Sequence, residues 1–270
     1  MKIEVVTAAV GANVTDIDLA QPLKDDQIKN INLALEQHLV LFFPGQNITP
    51  EQQVDFARCF GPINVPAFVP KYSVSDDYIV LDQVSPQGEG ADQWHTDNTF
   101  MANPPLGSIL KAVQLPSVGG DTCFASMFAA YDDLSESMQQ MLEGLTATHD
   151  ITKPLQKALR AGHANLDLAS MQEQWPPVSH PVVSTHPKSG RKALFIHRNA
   201  TTHINELSER ENEVLLPFLC DHIRSPMYQC RLHWSTNTLA FWDNRSVQHF
   251  AVPDYSERRV MHRVTIDEYK

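Results

Sequence analysis

The segment His95-Thr96-Asp97 holds an imidazole and a carboxylate two residues apart, and a further histidine, His249, stands far along the chain beside an arginine-rich stretch. On an extended segment, residues i and i+2 project to the same side, so His95 and Asp97 can grip one ion from one direction. His249 would complete a facial set of two imidazoles and one carboxylate. That set is the usual cradle of non-haem Fe(II) enzymes, because it leaves positions open for substrate chemistry. The fold must then lay the middle of the chain against its C-terminal part. The triplet is weak alone: with 12 His and 32 Asp+Glu in the chain, about one His-x-Asp arises by chance.

The 270 residues fit one large domain or two small ones, and a hydrophobic fraction of 42% is ample for a core. A formal net charge of −11 and the lack of a basic run argue against a nucleic-acid partner. Cys59, Cys123, Cys220 and Cys230 form no Cys-x-x-Cys pair; free thiols in a reducing compartment are the expectation. The N-terminus has no long apolar segment, and no apolar stretch approaches the roughly 18 residues a membrane span needs. A cytoplasmic protein with no membrane partner, forming a homo-oligomer, is expected.

Apolar spacing predicts helices over 24–37, 135–145 and 208–223, the last kinked or broken at Pro217. Thr49-Pro50-Glu51-Gln52 is a helix start with a hydroxyl N-cap and proline at the first position, predicting a helix to about Cys59. Strands are predicted over 39–43, 78–81, 106–115, 122–124, 229–234, 238–242 and 259–266. A hairpin is predicted around Pro187-Lys188-Ser189-Gly190. Residues 85–91 read as a loop, and 153–177, the least regular stretch, as a mobile excursion or lid. Many short strands with helices at the start and in excursions predict a mainly β single domain, residues 1–270, with a jelly-roll (double-stranded β-helix) core.

In the last strand Arg259, Met261, Arg263 and Thr265 share one face, and Arg258, Val260, His262, Val264 and Ile266 the other. Two arginines facing inward are costly without anions to meet them, and arginine holds carboxylates bidentately. The strand therefore predicts an internal anion; an ordinary surface strand with its charges outward remains the alternative.

Trp94-His95-Thr96-Asp97, the strand 112–115 followed by Pro116 and Gly119-Gly120-Asp121-Thr122, Trp242-Asp243-Asn244-Arg245 with His249, and Arg258-Arg259-Val260-Met261-His262-Arg263 together closely resemble the taurine dioxygenase (TauD/TfdA) family. The resemblance runs from Gly11-Ala12 to Ile266. It implies a double-stranded β-helix carrying Fe(II) and using 2-oxoglutarate and O2, with release of succinate and CO2. By position, His95, Asp97 and His249 would ligate iron, which two neutral imidazoles and one carboxylate leave with net positive charge for an anionic cosubstrate. Thr122 and Arg259 would hold the distal carboxylate of 2-oxoglutarate. Arg263 would sit beside them, facing the cosubstrate or the anionic end of the substrate.

The pocket departs from the taurine enzymes. Their polar or aromatic contacts fall on Pro66, Val69, Ala91 and a position near Leu155. With Arg263 kept, the expected substrate is an organic anion with an apolar body: an alkyl sulfate ester, a non-taurine sulfonate or an aryloxyalkanoate. A metal hydrolase on a similar barrel and a non-catalytic jelly-roll binding protein are the rival classes. His149, His180, His186, His203 and His222 are read as surface or internally satisfied residues, and Trp94 and Trp242 as packing beside the metal. His197 and Arg198 are candidates to face the pocket.

Overall fold

The run Val40-Leu41-Phe42-Phe43 has no polar residue and no alternation, as a strand covered on both faces requires. The structure, a computed structural model, describes residues 1–64, 77–84, 93–160 and 167–269. Pro66, Val69, Ala91 and the 85–91 loop lie outside the described residues.

Along the chain come β1 (Lys2–Val5), β2 (Ala12–Thr15), α1 (Asp25–His38), β3 (Val40–Phe43), α2 (Pro50–Arg58), β4 (Ile79–Val84), β5 (Gly107–Gln114) and β6 (Thr122–Ser126). Then follow α3 (Met127–Asp132), α4 (Glu136–Leu142), β7 (Thr146–His149), α5 (Thr152–Arg160), α6 (Leu168–Gln174), β8 (Val178–Pro181), β9 (Val183–Thr185) and β10 (Lys192–Leu194). The chain closes with β11 (Thr201–Ile204), α7 (Glu209–His222), β12 (Gln229–Leu232), β13 (Leu239–Asp243), β14 (Val247–Ala251) and β15 (Arg258–Ile266).

A seven-stranded sheet has the order β1-β2-β3-β13-β5-β15-β4, and three-stranded sheets have the orders β12-β6-β14 and β11-β7-β8. Pairing is antiparallel except between β2 and β3. The period of two splits the large sheet between two cores. Leu41, Phe43, Ile109, Leu239, Phe241, Val264 and Ile266 pack with Ile31, Leu35, Val54 and Phe56 of α1 and α2. Val40, Phe42, Leu110, Ala112, Ala240, Trp242 and Met261 face Phe124 and Val247 of the small sheet. The expected faces of β15 are thus the observed ones, but both are covered: only Arg258 stands in solvent, paired with Asp82.

The helix boundaries follow local chemistry. The Thr49 hydroxyl accepts from the Gln52 N–H at 3.3 Å, and the Gln52 side chain accepts from the Thr49 N–H at 2.9 Å. Buried Gln53 then bolts α2 to the sheet by donating to the carbonyls of Ile109 and His262, each at 3.0 Å. Leu39, expected in a strand, caps α1 instead with φ 65°, so β3 begins one residue later. α7 runs on through Pro217, whose exposed side of the helix lets water meet the carbonyl left without an N–H donor. The stretch 153–177, expected to be irregular, carries α5 and α6, whose residues enclose a small apolar cluster of Phe100, Met101, Ile151, Leu155 and Met171. β1, β2, α3, β7, β8, β11 and β14 were not evident from patterning.

Phe241 joins the large sheet to α2, touching the rings of Phe56 and Phe60. Phe241→Ala is expected to lower the free energy of unfolding by about 3–5 kcal/mol, read as a shift of the urea midpoint at unchanged slope.

Candidate metal centre

β14 and the extended segment at His95 meet in an antiparallel bridge: His95 N–H donates to the His249 carbonyl at 3.1 Å and His249 N–H to the His95 carbonyl at 2.9 Å. Directly opposed residues project to one face, and the two imidazole centroids are 4.1 Å apart. Asp97 follows two positions on, and Thr96 turns away to donate to the Val247 carbonyl at 3.2 Å. Asn244 clamps the backbone of Asp97, accepting from its N–H at 2.9 Å and donating to its carbonyl at 2.9 Å. Asn98, at φ 52°, turns the chain just beyond.

One ligand atom from each of His95, Asp97 and His249 lies within 4.8 Å of the others, and all three residues are buried. The Asp97 Oδ1 is 3.6 Å from His95 Nε2 and 3.8 Å from His249 Nε2. His95 Nδ1 is 2.7 Å from the Gln93 carbonyl, so Nδ1–H donates there and the Nε2 lone pair is free for a cation. Burial and the neighbouring His95 push the His249 imidazole down to about 3, which keeps it neutral. Burial opposes the charged form of Asp97, but the Arg263 guanidinium above all, with a hydrogen bond from His95, outweighs it and holds the carboxyl well below the usual range. Asp97 Oδ2 accepts from the Ser108 hydroxyl at 3.0 Å. The arrangement is three closely set ligand atoms on three buried residues.

The structure brings Arg263 to the metal set rather than only to the neighbourhood of Arg259: its Nη1 is 3.4 Å from Asp97 Oδ1. Arg259 is 3% exposed and has no ion pair among the described residues. Its Nε donates to the Gly120 carbonyl at 3.1 Å, while Nη2 is buried without a hydrogen-bond partner among the described residues. Burial pulls this guanidinium below its ordinary value. Gly120 (φ +76°) makes room: a Cβ there would come 3.2 Å from Arg259 Cδ and 3.3 Å from Nε. Thr122 is buried, and its hydroxyl oxygen accepts from the Trp234 indole at 2.9 Å, leaving its own O–H to donate. An unspent guanidinium nitrogen and a hydroxyl donor are what a buried carboxylate needs.

Leu155 is fully buried in the apolar cluster beside Asp97's loop. Arg198 points outward to Asp221, whereas His197 is 2% exposed. Trp242 packs against His249 at 4.7 Å, and Trp94 stacks on Phe250. His149, His180 and His186 are buried and hydrogen-bonded, as expected of non-ligands. Ser108 and Trp234 carried no recognisable signal, because their partners lie on other strands.

A family described as taurine catabolism dioxygenase TauD, TfdA family matches residues 2–265. The α-ketoglutarate-dependent 2,4-dichlorophenoxyacetate dioxygenase of Cupriavidus pinatubonensis is 36% identical over 273 residues, covering 94% of this chain and 93% of its own. An alkylsulfatase of Acinetobacter baylyi is 33% identical over 273 residues, covering 98% and 84%. Among solved structures, a taurine dioxygenase from Burkholderia xenovorans superposes with a TM-score of 0.84 at 29% identity, covering 99% of this chain and 89% of its own. AAD-2 in complex with Mn(II) and N-oxalylglycine superposes with a TM-score of 0.87 at 26% identity, covering 100% and 98%.

Asn244→Ala frees the backbone of Asp97 without touching a ligand atom. It is expected to weaken Mn(II) binding by about 10–100-fold, measured by calorimetry or by the electron paramagnetic resonance of free Mn(II).

Proposed function

The chain belongs to the TauD, TfdA family of α-ketoglutarate-dependent dioxygenases, and from that premise we propose that it is an Fe(II) enzyme that hydroxylates a small organic anion with an apolar body, a sulfonate or an alkyl sulfate ester. The observation that carries the reading is the buried His95–Asp97–His249 set in one fold with Arg259, a buried cation whose Nη2 has no hydrogen-bond partner among the described residues.

In this reading His95, Asp97 and His249 hold the iron. The metal, with 2-oxoglutarate and O2, supplies the oxidising chemistry and releases succinate and CO2. The residues bind and orient. Arg259 Nη2 and the Thr122 hydroxyl receive the distal carboxylate of 2-oxoglutarate, and the indole of Trp234 sets the direction of the Thr122 O–H. Ser108 and Asn244 fix Asp97 by its second oxygen and its backbone. Arg263, beside Asp97, presents positive charge to an anionic group in the same space. Water is kept out by the cluster of Phe100, Met101, Ile151, Leu155 and Met171, which we read as the inner wall of a lid built from α5 and α6 on a single domain of residues 1–270.

The substrate class is supported by Arg263 at Asp97, by the apolar cluster around Leu155 that begins at Phe100, three residues beyond Asp97, and by relatives named alkylsulfatase and, from Pseudomonas putida, α-ketoglutarate-dependent sulfate ester dioxygenase. An aryloxyalkanoate is the second reading, favoured by the relative that acts on 2,4-dichlorophenoxyacetate. A zinc hydrolase or a binding protein would have no use for Arg259.

Substrate-dependent succinate release from taurine, a primary alkyl sulfate and an aryloxypropionate, assayed side by side, tests the class. The sulfate ester or the aryloxy acid should exceed taurine in kcat/KM, and a preference for taurine would refute the apolar-pocket reading. Arg259→Ala should raise the Kd of 2-oxoglutarate by about 100-fold or more, because a buried charged hydrogen-bond pair is lost. Titration of the charge-transfer band of the anaerobic Fe(II) enzyme reads that change, and an unchanged titration would remove Arg259 from the site.

A further inference from the structure

A group of buried imidazoles stands behind the metal set, and the chemistry proposed above makes no use of it. Thr99, two residues beyond Asp97, is its hub: its hydroxyl oxygen is 2.8 Å from His149 Nδ1 and 2.8 Å from His197 Nε2. His180 Nε2 is 2.8 Å from the Thr99 carbonyl. The Thr201 hydroxyl closes the ring, 3.2 Å from His149 Nε2, while accepting from the His197 N–H at 2.9 Å.

Proton counting fixes the direction of these bonds. Each hydroxyl has one proton and each neutral imidazole one N–H. In one direction Thr201 donates to His149 Nε2, His149 Nδ1–H donates to Thr99, and Thr99 donates to His197 Nε2, so every hydroxyl proton is used. In the reverse direction the proton of Thr201, which is 1% exposed, has no acceptor in the network. Each direction leaves one buried donor unmade, but the reverse also leaves His197 Nδ1 as an unmet acceptor, so the first direction, with one orphaned group instead of two, wins. It leaves His197 neutral with its proton on Nδ1, and Nδ1 is buried without a hydrogen-bond partner among the described residues.

That unspent donor is placed where a ligand is expected. His197 Nε2 is 2.8 Å from the hydroxyl of Thr99, two residues beyond Asp97, which sets its ring directly behind the metal set. Thr99, which it touches, leads into Phe100 and Met101 of the apolar cluster that contains Leu155. His197 therefore stands where the metal set meets the apolar wall, on a different part of the fold from Thr122 in β6 and Arg259 in β15. Buried polar groups are nearly always paired, and a group left over beside a metal set is a candidate for a bound molecule.

We propose that His197 is a substrate-binding residue, donating one hydrogen bond from Nδ1–H to an oxygen of the organic anion, with Thr99, His149 and Thr201 holding it in that tautomer. This rests on the reading of the metal set and substrate class given above.

The test uses the full-length Fe(II) enzyme, hexyl sulfate as the probe, and two variants. His197→Phe keeps a ring and removes the donor; His197→Asn keeps a donor on a shorter arm. The charge-transfer titration with 2-oxoglutarate is expected to stay within about twofold of wild type in both. The Kd of hexyl sulfate, read from its perturbation of that band, should weaken about ten- to a hundredfold in His197→Phe and recover in large part in His197→Asn, with KM rising more than kcat falls. Nitrogen NMR of the labelled imidazoles should show His197 protonated at Nδ1. Unchanged hexyl sulfate binding in His197→Phe would overturn the proposal, as would an equal loss of 2-oxoglutarate binding or a proton found on Nε2. If wild type shows no charge-transfer band, the metal reading fails before any variant is made.

Discussion

Two backbone hydrogen bonds, exchanged between His95 and His249, hold the site together. They set two histidines from remote parts of the chain side by side on one face, and they fix where Asp97 falls. Because side chains alternate along a strand, a slip of one residue in this pairing would send His249 to the opposite face. The clamp of Asn244 on both backbone groups of Asp97 guards against that slip, and Trp242, two residues earlier, packs on the His249 ring. The three side chains are thus positioned by main-chain geometry together with Asn244, Ser108 and Trp242, before any cation contributes.

Charge inside the fold is arranged in two unequal parts. Asp97 and Arg263 lie against one another, so each limits the cost of burying the other. Arg259 meets the Gly120 carbonyl, Tyr255 and the more distant charge of Asp121, and its Nη2 has no hydrogen-bond partner among the described residues. A fold that buries a cation this way is complementary to an anion of the right size. The two glycines before Asp121 serve that end: Gly119 and Gly120 both take positive φ, and a side chain on Gly119 would run into Asp254, whose carboxylate accepts from the Gly120 N–H at 2.8 Å.

Much of this was legible where the determinant is local. The two-residue spacing of His95 and Asp97, the alternation along β15 and the Thr49 cap need no knowledge of the rest of the chain. The seven-stranded sheet was harder. Its strands are covered on both faces, so Val40–Phe43 reads as a bare apolar run, and Leu39 was absorbed into it although it ends α1. β7, β8 and β11 contain His and Thr where a strand pattern wants apolar residues, because those side chains hydrogen-bond among themselves around Thr99. Pro154 and scattered polar residues hid α5 and α6. Ser108 bonding Asp97, Trp234 bonding Thr122 and Arg263 reaching Asp97 are contacts between distant strands. No local pattern encodes them.

The groups assigned to metal and cosubstrate stand on β5, β6, β14 and β15 or are bridged directly to them, within sheets whose interiors are fully packed. Leu155 and its apolar neighbours belong to α5, α6 and the turns around them, a satellite cluster separate from the two main cores. Changes on the strands disturb the whole molecule, whereas changes in the satellite disturb mainly itself. In the reading proposed above, the fold therefore separates a reactor on the strands from a vestibule that can be altered on its own. Altered selectivity should be sought by exchanging residues 152–174 as a block, leaving the oxidising apparatus as it is.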